Sequence, residues 1–370
     1  MTQQAARPLT VTFIYHPADE TAAGIVEAAS ALAEGLGAER AGIFMRVPVR
    51  VRSEPLGPGP ALRPVLPESS VLDVVIFCLS AHVDVDPAPF HDLLNAIHKS
   101  FADPDRLLFI PLFLGDLTMP AGFDAKQGIR WYQWHPLEEH RRRTRALIRI
   151  VTEIRNKLDR SGKVRSSTIF VSHAKRDGRD MAEDFVRHVR DPQNQLGLET
   201  FYDALELRDG ENFAEGLDAG VRDSALLALV SDSYEGRPWC NREILVAKEF
   251  RRPVLIVDVG RRRVARTYPY LGNLPFRRHD LATPEGRDST ILDLVVEMLR
   301  VELFAIVAHR VDPQATALPR PPELLDLVAL VKARAERVLY PDPPLPNEEL
   351  NLLTALVPGM TFSTLDEMRP

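Results

Sequence analysis

The chain has 370 residues, enough for two domains of ordinary size that each bury a core. Hydrophobic residues make up 45 % of it and charged residues 26 %, which is typical of a globular protein and excludes an intrinsically disordered one. The net charge of −6 argues against direct binding of nucleic acid through a general basic surface.

Nothing in the sequence indicates secretion or a membrane. No apolar run reaches the ~20 residues that span a bilayer, and the N-terminus lacks the apolar segment of a signal peptide. The two cysteines, Cys78 and Cys240, lie in apolar surroundings at a spacing that fits no metal site. We therefore expect a cytoplasmic protein with reduced thiols, no bound metal and no membrane partner.

The first half of the chain predicts strands alternating with helices. Short apolar strands are expected at residues 12–16, 73–80, 107–110 and 129–132. Strands that are apolar on both faces are typical of a parallel sheet covered by helices. A connecting helix is expected over 136–163, where Leu147, Val151, Ile154 and Leu158 form one apolar stripe.

The second half repeats this order. Strands are expected at 168–173, 199–202, 225–230 and 253–259, with helices at 179–190, at 213–221 and from Trp239 onward. His16 matches His173 and Ser80 matches Ser231 in collinear order, although apolar strands also match by chance. We therefore expect tandem flavodoxin-like parallel-sheet domains.

The C-terminal part changes character. A helix over 291–308 would complete the second domain. Residues 313–322 are Pro-rich, 323–339 have a helical pattern and 341–346 are expected to be extended. This helical, Pro-rich tail either packs on the domains or begins a further domain.

One strand–loop–helix segment carries the strongest chemical signal. The apolar strand at 225–230 leads through a Ser-rich loop into Pro238, which suits the first position of a helix. Trp239 and Glu243 then lie one turn apart on the same face, where a ring could stack beside a fixed negative charge. Alternatively, Trp239 is a core residue and Glu243 pairs with Arg242 or Lys248.

Three motifs occur in a characteristic order: IFVSHAKRD at 169–177, DALELRDGENF at 203–213, and LVSDSY at 229–234 followed by WCxxE at 239–243. Together they resemble the Toll/interleukin-1 receptor (TIR) domain family, and the resemblance covers roughly residues 164–305. Many bacterial and plant members cleave NAD+ at the nicotinamide–ribose bond. The resemblance places their catalytic glutamate at Glu243 and makes NAD+ the substrate, with no cofactor required.

The chemistry of this reaction suits a single carboxylate. Nicotinamide leaves as a neutral ring, so no general acid is needed, and the ribose acquires oxocarbenium character. A carboxylate beside that sugar stabilises the developing charge.

Further NAD+-binding residues follow from the same resemblance. The family's mobile loop would place Arg208, Asp209 and Gly210 at the site, although Asp-Gly is also common in plain surface turns. His173 and Lys175 end the first strand, at the edge where α/β sheets bind ligands. A hydrogen-bonded loop histidine remains the alternative for His173.

The first half lacks the signature residues. Its alignment on the second half puts Ala88 opposite Trp239 and Asp92 opposite Glu243, and a Pro-rich stretch at 55–60 replaces the mobile loop. We therefore expect a degenerate, non-catalytic TIR-like domain for assembly or recognition. The predicted organisation is this domain at 9–135, the connecting helix at 136–163, a TIR domain at 164–308 and the tail at 309–370.

The leading hypothesis is an NAD+ glycohydrolase that releases nicotinamide and forms ADP-ribose or a cyclic isomer. We expect activation by self-association through TIR domains, in bacterial anti-phage defence. A non-catalytic signalling scaffold is the alternative, and a nucleoside-processing α/β enzyme is a third hypothesis. Retention of both Trp239 and Glu243 favours the NAD+-cleaving enzyme.

Overall fold

The computed structural model of the chain describes residues 7–37, 45–54, 62–65, 70–85, 87–100, 104–118, 128–158, 168–201, 213–262 and 271–368. The chain divides into two compact units, Met1–Ile150 and Val151–Pro370. Within the described ranges, no helix is both long enough and apolar enough to cross a membrane.

The first unit alternates strands and helices. Its elements are β1 (Leu9–Ile14), α1 (Glu20–Gly37), β2 (Val49–Arg52), β3 (Leu72–Leu79), α2 (Ala81–Val85), α3 (Ala88–Ser100), β4 (Leu107–Phe113) and β5 (Ile129–Arg130). Helix α4 (Glu139–Leu158) begins in this unit and continues into the second. Every residue of β1 and β3 is buried, as the apolar pattern predicts.

The described strands of the first unit form one parallel sheet in the order β2-β1-β3-β4-β5. Phe13 pairs with Val51 on one side and with Ile76 on the other, so β1 lies inside the sheet. This strand order is that of flavodoxin-like folds.

The second unit repeats the plan. Its first elements are β6 (Thr168–His173), α5 (Arg179–Arg190), β7 (Glu199–Phe201), α6 (Phe213–Arg222), β8 (Ala225–Val230), α7 (Pro238–Glu249), β9 (Val254–Asp258), β10 (Phe276–Arg277) and α8 (Pro284–Val311). Their described strands form a parallel sheet in the order β7-β6-β8-β9-β10, equivalent to the order in the first unit. The prediction of tandem flavodoxin-like parallel-sheet domains is confirmed.

The tail contains both helices and a sheet. Strands β11 (Thr316–Ala317), β12 (Arg337–Tyr340) and β13 (Thr361–Thr364) form a three-stranded parallel sheet with α9 (Leu324–Lys332) and α10 (Asn347–Leu356) between them. These elements enclose their own apolar core, which includes Leu330, Val338 and Leu353.

The single helix predicted over 323–339 was wrong in its second half. Arg334 adopts a left-handed conformation with φ of 53°, and Ala335 N donates to Leu330 O at 3.0 Å. This bonding pattern caps the last carbonyls of α9 and ends the helix. The apolar residues that follow then pair as strand β12.

A buried ion pair joins the tail to helix α7. Lys248 Nζ donates to Glu323 Oε2 at 2.9 Å and to Oε1 at 3.1 Å, and both side chains are only 1 % exposed. Glu323 also caps α9 through reciprocal hydrogen bonds with Asp326. Burial lowers the pKa of Lys248 and raises the pKa of Glu323, and the partner's charge opposes each shift. The tail therefore packs on the second domain at a point where neither charge is solvated.

We expect Lys248→Met to lower the free energy of unfolding of the second unit by about 3–5 kcal/mol, because it leaves the Glu323 carboxylate buried without its cation. Urea denaturation followed by circular dichroism measures this loss. The double variant Lys248→Met/Glu323→Gln should recover most of it, since it removes both charges and keeps a capping side chain.

The exposed pair Arg187–Asp184, with N–O distance 2.6 Å, is the matched control. Asp184→Asn should cost no more than about 1 kcal/mol. A similar small loss in Lys248→Met would contradict the role assigned to the buried pair.

Candidate active site

The candidate site lies at the carboxyl end of β6, beside the start of α7. Helix α7 begins with Pro238 at its first turn, and the preceding Arg237 is extended. A cavity of about 340 Å³ opens here, within the size range of small-molecule sites. Its lining residues come from these two elements and the turn after β6: Phe170, Val171, His173, Ala174, Lys175, Arg176, Arg237, Pro238, Trp239, Cys240 and Glu243.

Trp239 and Glu243 both line the cavity, but they differ in exposure. The Trp239 side chain is 45 % exposed, whereas Glu243 is 8 % exposed. Trp239 is therefore not the core residue of the alternative interpretation. The helix presents a partly open aromatic surface one turn from a nearly buried carboxylate.

The two cations proposed as alternative partners of Glu243 bind other carboxylates. Arg242 donates to both oxygens of Asp218, at 3.0 and 2.8 Å. Lys248 is held by Glu323. The Arg242 guanidinium also lies 5.7 Å from the centre of the Trp239 ring, within cation–π range.

Two weakly acidic side chains, Cys240 and Tyr234, lie close enough to Glu243 for its charge to affect their pKa values. Burial raises the pKa of Cys240 to about 12, and the charge of Glu243 adds to the rise. Burial also raises the pKa of Tyr234 well above its usual value, again with a contribution from Glu243. Tyr234 Oη lies 2.6 Å from Ser172 Oγ, and Cys240 Sγ donates to His173 O at 3.5 Å. At neutral pH both the thiol and the phenol are therefore in their protonated forms.

Asp177 follows the lining residue Arg176 in the turn after β6 and connects that turn to a second loop. Its carboxylate accepts hydrogen bonds from Ser231 Oγ at 2.6 Å and from Ser233 N at 3.0 Å. Although its partial burial acts to raise the pKa of Asp177, these hydrogen bonds lower it. Asp177 thus ties the turn after β6 to the loop after β8. Sequence reasoning did not select it, although it closes the first motif and faces the Ser-rich loop.

The other predicted site residues fall into two groups. His173 and Lys175 line the cavity, with His173 Nδ1 3.4 Å from Val171 O. Arg208, Asp209 and Gly210 lie outside the described residues.

Arg176 and Arg237 also line the cavity, and sequence reasoning missed both. The sequence feature that could have identified them is a positive charge beside a predicted element. Arg176 follows the end of strand β6, and Arg237 precedes the first residue of helix α7. With Lys175 they give the cavity lining three basic side chains, which suits phosphate groups. Within the described ranges, no group of three or more His, Cys, Asp or Glu residues could hold a metal ion.

The corresponding edge of the first domain has different chemistry. Asp92, aligned with Glu243, is exposed on α3. The His16 ring stacks on His82 with centroids 5.3 Å apart, and lies 6.1 Å from the Phe90 ring. Aromatic rings therefore pack at the edge of the first sheet that corresponds to the edge near Glu243 in the second domain.

Comparison with known proteins identifies the second domain. The sequence model of the TIR domain family, described as "TIR domain", matches residues 169–285. Residues 169–285 are a TIR domain. The match includes β6 and α7, and therefore both elements that build the cavity.

Two bacterial relatives share part of this TIR domain. The 2′ cyclic ADP-D-ribose synthase AbTIR of Acinetobacter baumannii is 33 % identical over 94 residues, which are 25 % of this chain and 34 % of the relative. The probable 2′ cyclic ADP-D-ribose synthase TcpB of Brucella melitensis biotype 1 is 32 % identical over 76 residues, which are 20 % and 29 % of the two chains. The chain thus covers about a third of each relative's length.

We expect Cys240 to resist alkylation in the folded protein. With a pKa of about 12, roughly one thiol in ten thousand is ionised at pH 8, and the thiolate is the reactive form. A Cys78→Ser variant treated with iodoacetamide at pH 8 and examined by mass spectrometry should stay unmodified. The same variant unfolded in urea should be fully modified, and rapid labelling of the folded form would contradict the protonated, buried thiol.

Proposed function

We propose that the TIR domain cleaves NAD+ at the bond between nicotinamide and ribose. The observation that carries the proposal is the buried carboxylate of Glu243 beside the exposed ring of Trp239, in a cavity large enough for one half of a dinucleotide. The names of the two relatives, a 2′ cyclic ADP-D-ribose synthase and a probable 2′ cyclic ADP-D-ribose synthase, support the same chemistry.

In this reaction the bond between ribose C1′ and the pyridinium nitrogen breaks, and its electron pair leaves with neutral nicotinamide. The ribose becomes oxocarbenium-like. Glu243 stabilises that positive charge electrostatically and orients the incoming oxygen nucleophile. Its low exposure strengthens the interaction, because little water is present to screen it.

The remaining lining residues position the substrate. Trp239 offers a partly exposed face on which the nicotinamide ring stacks. Lys175, Arg176 and Arg237 bind the pyrophosphate oxygens, and His173 contacts the ribose or the carboxamide. Arg208, Asp209 and Gly210 belong to the loop that we propose as the remaining wall.

The nucleophile decides the product. Water gives ADP-ribose, whereas a hydroxyl of the same molecule gives a cyclic isomer and loses its proton on ring closure. Both routes release one nicotinamide for each NAD+ consumed. We propose that this consumption of NAD+ serves bacterial anti-phage defence and is switched on by self-association of TIR domains. The first domain, at 9–135, contributes assembly or recognition without catalysis.

We expect Glu243→Gln to reduce kcat for nicotinamide release by at least ~10²–10³-fold, because it removes the charge that stabilises the transition state. Chromatographic assay of nicotinamide from NAD+ measures the loss. Glu249→Gln, on the exposed end of the same helix, and Asp92→Asn in the first domain should both retain full activity. Activity in Glu243→Gln equal to that of these controls would refute the assignment, and the protein would then be a non-catalytic scaffold.

We also expect specific activity to rise with protein concentration, because the proposed self-association completes the site. Nicotinamide release and light scattering should be followed in the same dilution series. Activity and scattering should increase together at the same concentration. Constant specific activity across the range in which scattering rises would show that assembly has no part in activation.

A further inference from the structure

A second polar cavity lies in the first domain, against one face of its sheet. It has a volume of about 120 Å³ and is lined by residues of β1, β2 and β3 and by the segment 63–65. Its polar lining comprises two threonines, three arginines and one carboxylate: Thr10, Thr12, Arg50, Arg52, Arg63 and Asp73.

The strand register brings these side chains together. Thr12 pairs with Arg50 across β1 and β2, and Thr10 pairs with Asp73 across β1 and β3. Paired residues of neighbouring parallel strands point to the same face of the sheet. Thr10 and Asp73 lie near the amino ends of their strands, whereas Arg52 is the last residue of β2, so the cavity extends along the face of the sheet.

The charges around the cavity are unbalanced. Burial lowers the pKa of Arg52, and the positive charges of Arg63 and Arg50 lower it further. The one carboxylate, Asp73, accepts a hydrogen bond from Ser70 Oγ at 2.5 Å and lies 3.8 Å from Arg106 Nη2. Among the described residues that line the cavity there are thus three guanidinium groups and one carboxylate, and that carboxylate also faces Arg106 outside it.

Two buried donors in this cavity lack hydrogen-bond partners among the described residues. Thr10 is 2 % exposed, and its Oγ1 makes no hydrogen bond; the same holds for Arg52 Nε. A buried polar group without a partner is costly and rare in a folded protein. A bound acceptor with several oxygen atoms would satisfy both donors and balance the arginines.

The geometry points to an anion site for a terminal phosphate group, held by Arg52, Arg63 and Thr10. A cavity of about 120 Å³ corresponds to about four water molecules of liquid, enough for one tetrahedral oxyanion but too small for a nucleoside. Inorganic phosphate and a phosphomonoester share this chemistry, and the sugar and base of the ester would lie outside the cavity.

Isothermal titration of the full chain at constant ionic strength tests the site, with inorganic phosphate, AMP and adenosine as probes. We expect saturable binding of phosphate and of AMP, and none of adenosine. Tighter binding of AMP would identify a phosphomonoester as the ligand, whereas equal binding would identify free phosphate. Absence of saturable phosphate binding would overturn the proposal.

Arg63 is exposed, so Arg63→Gln should fold normally and weaken phosphate binding about tenfold or more, the effect of one charged hydrogen bond. Arg52→Gln and Thr10→Val should weaken it as well. Arg46→Gln, an exposed arginine of the same domain outside the cavity, should bind like the wild type. Equal affinity in Arg63→Gln, Arg52→Gln and Arg46→Gln would place the phosphate elsewhere, for example at the basic residues that line the TIR-domain cavity, and would refute the site.

Discussion

The burial of one carboxylate at the start of a helix is the constraint on which the proposed chemistry of the second domain depends. A charged group in a nearly dry position is costly, and proteins usually neutralise it with a cation. Here the two cations beside Glu243 in sequence bind Asp218 and Glu323. Cys240 and Tyr234 remain protonated around it. Arg242 and Lys248 are thus held by other carboxylates.

The two domains share a strand order but have separate chemistries. At the carboxyl edge of the second sheet the fold places Glu243, Trp239 and basic residues around a cavity. At the same edge of the first sheet lies a stack of aromatic rings, and arginines line a separate cavity along the face of that sheet. The same strand order can support both arrangements of side chains, because ligand recognition depends on the side chains and not on the fold itself.

The tail shows how a sequence pattern can be misread. Its second half has a helical apolar spacing, yet a left-handed Arg334 ends α9, and Val338 to Tyr340 join a parallel sheet. Local periodicity cannot distinguish these outcomes for short apolar segments, because tertiary pairing decides between them. The same holds for Lys248, whose partner Glu323 is distant in sequence and was not predictable from spacing.

The sequence by itself determined four strands of each five-stranded sheet, their alternation with helices and the position of Trp239 and Glu243 on one helical face, because these follow from local periodicity and capping. Only the tertiary structure decided that Trp239 is exposed while Glu243 is buried, that Arg176 and Arg237 line the cavity, and that Asp177 accepts a hydrogen bond from Ser231. It also decided which carboxylates hold Arg242 and Lys248. Burial and charge pairing depend on contacts between segments that are distant in the chain. The local sequence pattern does not show which of these segments come into contact.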